Sequence, residues 1–310
     1  MKVYFGHPDP SMQQRFGLAL GFFDGVHEGH RRLIACLKLA AAKQKFVPAV
    51  YTFLEHPTHV VPGLIPRKLL TTPRERIHFL KEEGVESLYM GSFTPEFAAM
   101  DKQTFMKQLF VPALKYLVVG YNYSFGWGGE GTAEDLRNYG EERGVPVVVV
   151  PEVAANGQSV SSTRIRKLVE KGELREAAML LRRPYSVEGS VKPGNQIGQT
   201  MGFPTANLYL PDYKVLPGRG VYATIAYLDG RHFAAVTNVG IKPTVTDKAV
   251  DTVETHIMGK KEVLYGRFLR VMFVQKLRGE IKFDGLDSLK KQIAMDVEAA
   301  KEILKPMGEE

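Results

Sequence analysis

The sequence predicts two units in tandem: an α/β unit on a mostly parallel sheet, then a small antiparallel β-barrel with a long C-terminal helix. Three observations predict this. A length of 310 residues suits about two domains at roughly 100–200 residues each. The first half alternates short apolar runs with helical patterns, as βα units do. From Tyr185 onward the runs become β-like and are separated by turn signals, and a single amphipathic helix pattern follows them.

The elements can be read in order. Leu18–Phe23 reads as a buried strand, and Leu33, Ile34, Leu37, Ala40 and Ala41 then recur at helical spacing. Pro48–Phe53 is the next strand. Thr72-Pro73 opens a helix to Glu83, with Thr at the cap and Pro in the first turn. Ser87–Met90, Tyr116–Gly120 and Val145–Val150 continue the strands, with a helix over Thr132–Glu142. Helical patterns from Ser162 to Leu181 close this half, and the change of character falls near 182–186. Barrel strands are expected at Ser186–Val191, Val221–Leu228, Phe233–Val239, Thr252–Met258 and Phe268–Leu277, with Asp229-Gly230 as a hairpin turn. Leu286, Leu289, Ile293, Val297, Ala300 and Leu304 mark the last helix, for which Asp284 or Asp287 is the expected cap.

Composition excludes several classes. Hydrophobic residues at 44% and charged residues at 24% are ordinary globular usage. Apolar stretches such as Val145–Pro151 fall far short of the ~18 residues of a membrane span, and no secretory h-region is read near Met1. The single cysteine, Cys36, excludes an intrachain disulfide and a cysteine zinc site; it reads as a small buried hydrophobe in a reducing cytoplasm. A net charge of +7 suits nucleic acid or small phosphorylated ligands. The absence of any run of five or six basic residues argues against nucleic acid. Oligomeric state is left open.

The chemistry concentrates in two stretches. Gly21-Phe22-Phe23-Asp24-Gly25-Val26-His27-Glu28-Gly29-His30 joins the first strand to the first helix, at the sheet edge where open α/β folds bind ligands. Gly25 and Gly29 allow backbone to approach a phosphate, and the helix N-terminus offers N–H groups to an anion. His27 and His30, three apart, can aim both imidazoles at one place. The second stretch is Gly202-Phe203-Pro204-Thr205-Ala206-Asn207. On an extended segment Thr205 and Asn207 face the same side, and both are hard-oxygen ligands suited to Mg²⁺ beside a nucleotide.

The first stretch resembles the HxGH signature of the nucleotidyltransferase superfamily, and in its longer form that of bacterial FAD synthetases. Ser161-Ser162-Thr163-Arg164-Ile165-Arg166 resembles the partner signature. Thr52–Pro57, ending in His56-Pro57, resembles the family's flavin-site loop, and Val119–Gly126 with Asn122 resembles its next strand-end loop. The following Trp127 is a candidate flavin or adenine stacker or a surface anchor. No basic residue lies between Phe125 and Gly131, where many relatives carry some.

The second half resembles the bacterial riboflavin kinase module through Arg183-Pro184-Tyr185, the Gly202–Asn207 stretch, Gly220-Val221-Tyr222-Ala223, Thr237–Thr244, Val253–His256 and Leu277–Phe283. The resemblance implies a Rossmann-like FMN adenylyltransferase domain over 1–183 and a barrel-shaped riboflavin kinase domain over 184–310. It implies ATP as co-substrate, Mg²⁺ as cofactor, and riboflavin, FMN and FAD as substrate or product.

It further implies His27, His30, Arg166 and Glu254 as catalytic groups, with Glu254 the kinase base, and Thr205 and Asn207 as metal ligands. Nucleotide or flavin binding falls to Gly21, Phe23, Asp24, Gly25, Gly29, His56, Pro57, Asn122, Ser161, Ser162, Thr163, Gly194, Gly198, Gly202, Pro204 and Asn238. Ile197 and Gln199 stand where kinase relatives usually present Arg, and Lys192 is a partial substitute. Two alternatives stay open: a chain that mainly makes FAD with a weakened kinase, and a flavin-binding regulatory protein without turnover.

Overall fold

The computed structural model describes residues 1–194, 198, 201–242, 250–260 and 262–305. The chain forms two compact units, Met1–Ser162 and Thr163–Glu310. The first opens with β1 (Lys2–Phe5), β2 (Phe16–Leu20), α1 (Glu28–Gln44), β3 (Val47–Phe53), α2 (Pro57–Val60) and α3 (Pro73–Glu82). It continues with β4 (Ser87–Gly91), α4 (Pro95–Ala98), α5 (Lys102–Leu109), β5 (Leu114–Gly120) and the short pair β6 (Ser124–Phe125) and β7 (Gly131–Thr132). It ends with α6 (Ala133–Glu141), β8 (Val147–Val150) and the small hairpin β9 (Ala154–Ala155) and β10 (Gln158–Ser159).

Six strands form one sheet in the order β1-β4-β3-β2-β5-β8, every neighbouring pair parallel. Alternation along the strands divides the buried side chains between two faces. Leu18, Leu20, Tyr51, Leu117 and Val119 pack with Phe105, Met106 and Leu136 of α5 and α6. Ala19, Val50, Leu88 and Val118 pack with Leu33, Ile34 and Leu37 of α1 and with Phe79 and Leu80 of α3. From β2 the chain winds to β3 and β4 on one side, and from β5 to β8 on the other. The direction of winding therefore reverses between β2 and β5, which opens a crevice at their C-terminal ends.

The cap read at Thr72 is a full capping box. Glu75 N donates to Thr72 Oγ1 at 3.2 Å, and Thr72 N donates to Glu75 Oε2 at 2.7 Å. The strand read as Leu18–Phe23 ends at Leu20. Gly21–Phe23 leaves it, and Phe23 turns left-handed at φ 56°. Cys36 is half-buried rather than fully buried.

The second unit begins within α7, whose span is Ser162–Lys171, and continues with α8 (Leu174–Leu181). Contacts group residues from Thr163 onward with the barrel, although the sequence changes character only near 182–186. The barrel strands are β11 (Tyr185–Lys192), β12 (Ala206–Tyr209), β13 (Gly220–Leu228), β14 (Arg231–Lys242), β15 (Val250–Ile257) and β16 (Phe268–Arg278). They close in the order β11-β12-β15-β14-β13-β16 with antiparallel pairing. Asp229 and Gly230, at φ 47° and 83°, make the expected two-residue turn between β13 and β14.

Inside the barrel the hydroxyls of Thr224, Thr237 and Thr255 bond in a chain at 2.8 and 3.0 Å. Outside it lies α9 (Leu286–Leu304), which buries Val297, Ala300 and Leu304 against Val221, Ala223 and Val236. Its N-cap is Gly285, without a side-chain cap bond, so neither Asp284 nor Asp287 caps it. Gly285 is extended at φ −177°, and Asp287 sits inside the first turn, where its charge favours the helix dipole instead.

Candidate active sites

The first site is built at the C-terminal ends of the parallel strands. After β2 the chain makes a strained turn. Phe23, Gly25 and Val26 all have positive φ (56°, 82° and 43°), a conformation that costs a β-branched residue such as Val26 of order 1–3 kcal/mol. Asp24 holds the turn in place. Its carboxylate, 3% exposed, accepts from Leu70 N at 3.1 Å, Thr71 N at 2.9 Å and Thr71 Oγ1 at 3.1 Å, and Gly25 N donates to the same hydroxyl. Asp24 thus anchors the loop.

This turn delivers His27 to the N-cap of α1 and His30 to its first turn. The two rings stack with centroids 3.7 Å apart and planes 21° apart. His27 is buried and His30 half-buried. Both sit where the helix presents backbone N–H groups and its positive dipole end. Gly29 makes room for the stack, since a Cβ there would stand 3.1 Å from His27 Cε1. Gly29→Ala is therefore expected to push the His27 ring and slow adenylyl transfer by up to about 10²-fold. Initial rates of FAD formation from FMN, with FMN formation from riboflavin as control, measure this.

Other expected residues of the first unit lie near the same sheet edge. Ser162 Oγ donates to the Asp24 carbonyl at 2.9 Å, which ties the Ser161-Ser162 start of the second signature to the histidine loop. Thr163 is exposed and Arg166 half-buried on α7, within the second unit. His56 caps α2, its Nδ1 accepting from Thr58 N at 3.1 Å, and its ring meets Phe22 edge-on at 4.6 Å. Pro57 follows in the first turn. Gly21 lies under Phe23, whose ring a Cβ would meet at 3.1 Å. Asn122 is exposed just after β5. Trp127 is 67% exposed among Gly126, Gly128 and Gly129, all at positive φ.

Arg76 was not legible as part of this site. It is 1% exposed, yet its guanidinium reaches two strand ends. Nη1 donates to the Phe22 carbonyl at 3.0 Å, Nη2 donates to the Phe53 carbonyl, and the group lies 4.3 Å from the Phe22 ring centroid. It fastens the histidine loop to the His56 loop. An aromatic group was missed as well. His7 Nδ1 bonds Tyr51 OH at 2.6 Å, and Phe97 stacks on His7 and packs against Phe53 and Phe93. Burial lowers the His7 pKa and raises that of Tyr51.

The second site lies on the outer face of the barrel. Strand register aligns Asn207 with Glu254, Glu254 with Asn238, Asn238 with Val221, and Val221 with Arg278. That row crosses β12, β15, β14, β13 and β16. A cavity of about 310 Å³ runs along it, walled by Phe203, Thr205, Asn238, Glu254, Arg278 and Phe283 among others. Thr205 also lines a neighbouring pocket with Gly194, Pro204, Asn207, Lys260 and Tyr265. One threonine therefore stands between the two spaces.

Two glycines allow close approach here. A Cβ on Gly198 would meet the Phe203 carbonyl at 2.4 Å, and one on Gly194 would meet the Asn207 amide at 2.2 Å. Gly202 turns at φ 88°. His256, not among the expected site residues, bonds the Pro204 carbonyl through Nδ1 at 2.9 Å and braces the Gly202–Asn207 stretch. Lys192 is exposed, its ammonium 3.5 Å from the Tyr209 ring centroid. Ile197, Gln199 and the Pro243-Thr244 end of the Thr237–Thr244 motif lie outside the described residues.

Fold and sites together are those of a two-module transferase of phosphorus-bearing groups. The FAD synthetase family model matches residues 9–164, and the riboflavin kinase family model matches residues 181–304. A bifunctional riboflavin kinase/FMN adenylyltransferase of Listeria monocytogenes is 33% identical, over 95% of this chain and 95% of its own length. One from Escherichia coli is 35% identical, over 92% and 91%. The crystal structure of a Streptococcus pneumoniae protein named as a macrolide-efflux protein has a TM-score of 0.87 at 33% identity, covering 97% of this chain and 99% of that one. Among the described residues no helix is long and apolar enough to cross a membrane. The chain belongs to the bifunctional riboflavin kinase/FAD synthetase family.

Proposed function

We propose a division of labour between the two sites of this bifunctional enzyme, which phosphorylates riboflavin to FMN with ATP and then adenylylates FMN to FAD with release of pyrophosphate. The single observation that carries the adenylyl assignment is the stacked His27–His30 pair at the N-terminus of α1. As the FMN phosphate oxygen attacks the α-phosphorus of ATP, negative charge grows on the non-bridging oxygens and on the departing pyrophosphate. Imidazole N–H donors and the helix-start amides meet that charge without reorganising. Ser161, Ser162 and Thr163 hold phosphates and Arg166 adds a fixed cation. His56, Pro57 and Asn122 contact the flavin or the nucleotide, and Gly21, Phe23 and Gly25 shape the loop. Asp24 and Arg76 keep that loop in position. Incubation with riboflavin, ATP and Mg²⁺, read by chromatography for FMN and FAD, tests the reading.

In the kinase module Glu254 is the general base. It takes the proton of the ribityl 5′-hydroxyl as that oxygen attacks the γ-phosphorus and ADP leaves. Thr205 and Asn207 fit a Mg²⁺ ion. Both offer neutral oxygens, both line the space at Gly194, and the Asn207 amide fills the position that a Gly194 Cβ would need. A bound ion would neutralise charge on the nucleotide phosphates. Asn238 orients the ribityl chain beside Glu254, while Gly194, Gly198, Gly202 and Pro204 shape the nucleotide wall.

With neutral Ile197 and Gln199 in the loop, ATP is held loosely in this module. Ile197→Arg with Gln199→Arg is expected to lower the ATP concentration needed for FMN formation. The gain should shrink at high salt, because exposed charges are screened within ~8–10 Å at near-physiological ionic strength. ATP titrations at two salt concentrations measure this, with adenylyl transfer as the unresponsive control. We also assign the modules to 1–183 and 184–310, the enzyme to the cytoplasm, and its partners to small molecules rather than nucleic acid or membrane.

A further inference from the structure

The row across the barrel continues past the residues given roles above. From Glu254 on β15 it passes Asn238 on β14 and Val221 on β13, and it ends at Arg278 on β16. Both ends of the row line the same cavity of about 310 Å³. With the ribityl 5′-hydroxyl at Glu254, the ring end of riboflavin falls toward the part of that cavity walled by Arg278 and Phe283.

Arg278 is fully engaged. Nε lies 3.0 and 3.1 Å from the two carboxylate oxygens of Asp296, and Nη2 donates to Oδ2 at 2.8 Å. Nη1 donates to the Gly279 carbonyl at 3.0 Å. Asp296, on α9, is 5% exposed and also accepts from Gln292 Nε2 at 3.0 Å. Both partners line the 310 Å³ cavity.

Residues 279–283 belong to no helix or strand, and Gly279 through Lys282 are exposed, yet Glu280, Ile281 and Phe283 form one wall of the same cavity. A Cβ on Gly279 or Gly285 would meet nothing within 4 Å. The Arg278 guanidinium lies 5.8 Å from the Phe283 ring centroid. Arg278 therefore joins the strand end, the following segment and α9 at one point.

We propose that the Arg278–Asp296 pair is a positioning element of the kinase reaction: it fixes the 279–283 wall against α9 at the depth where the flavin ring seats. This rests on the riboflavin kinase reading of the cavity. A forked, bidentate pair suits the task because it fixes direction as well as distance, and removing one partner leaves the other charge buried without its counter-ion. The hydrogen bonds of the pair run to Gly279 and Gln292, on the 279–283 and α9 side of the cavity. Loss of the pair should therefore weaken riboflavin capture and spare ATP use.

Asp296→Asn and Arg278→Lys, each in the full chain, test this. Lys keeps the charge but loses the fork. The expected result is a riboflavin KM raised by about tenfold or more in each, with ATP KM and kcat changed by less than about threefold. FMN adenylylation by the same preparations should equal that of the parent, and the exchanged pair Arg278→Asp with Asp296→Arg should recover part of the riboflavin KM. An unchanged riboflavin KM, or riboflavin and ATP KM rising in step, would overturn the proposal. If Asp296→Asn leaves the barrel unfolded, Arg278→Lys decides by the same two constants. If FMN formation by the parent itself were absent, the kinase reading would fail rather than the role of the pair.

Discussion

His27→Ala combined with His30→Ala is expected to abolish FAD formation from FMN while FMN formation from riboflavin continues at the parent rate. The ring centroids lie 3.7 Å apart at the start of α1, so on the proposed assignment both imidazoles would meet one charge centre and not two. Removing a single preorganised donor from developing oxyanion charge typically costs about 10²–10³-fold, and here both are removed together. The substitutions leave the turn intact, because Asp24, Leu70 and Thr71 hold it independently of the imidazoles. Glu254, the proposed kinase base, lies in the other unit. Initial rates of both half-reactions on one preparation measure the effect. Loss of both activities from a folded variant would sink the two-site assignment.

Glu254→Gln should have the opposite signature. The amide keeps the size of the side chain but cannot take the 5′-hydroxyl proton, so FMN formation should fall by about 10²–10⁴-fold. The register around it, Asn207 on one side and Asn238 on the other, is set by backbone pairing and survives the change. Riboflavin binding, followed by flavin fluorescence, should shift little, and FAD formation from supplied FMN should be unaffected. Unchanged turnover would remove Glu254 from its role.

How much was legible in the sequence depended on the range of each interaction. The cap at Thr72, the Asp229-Gly230 turn and the His27–His30 spacing are local, and each emerged where the sequence put it. The family and both activities were legible too, because the motifs that carry them are short and in fixed order. Apolar content misled at Gly21–Phe23, where a buried run is a left-handed turn and not the end of a strand. β1 and β12, each four residues long, were too short for a periodicity to register.

Arg76 was invisible for a different reason. Its partners are backbone carbonyls more than twenty residues away, and a carbonyl leaves no trace in residue type. Asp24 was read as a ligand contact, and its carboxylate also accepts from Leu70 and Thr71, which local spacing could not foretell. The row from Asn207 to Arg278 exists only once five strands are paired in register, so its far end could not be read from the order of residues.

On this reading one chain carries two separable sites that work in series. It is tested most directly by mixing the two crippled enzymes, His27→Ala/His30→Ala and Glu254→Gln, with riboflavin, ATP and Mg²⁺, and following FMN and FAD by chromatography. Alone, the first should stop at FMN and the second should leave riboflavin almost untouched. Mixed, they should make FAD, since FMN released by one kinase module serves the other chain's adenylyl site. A mixture that makes no FAD, from variants that each remain folded and retain their own half-reaction, would contradict the account.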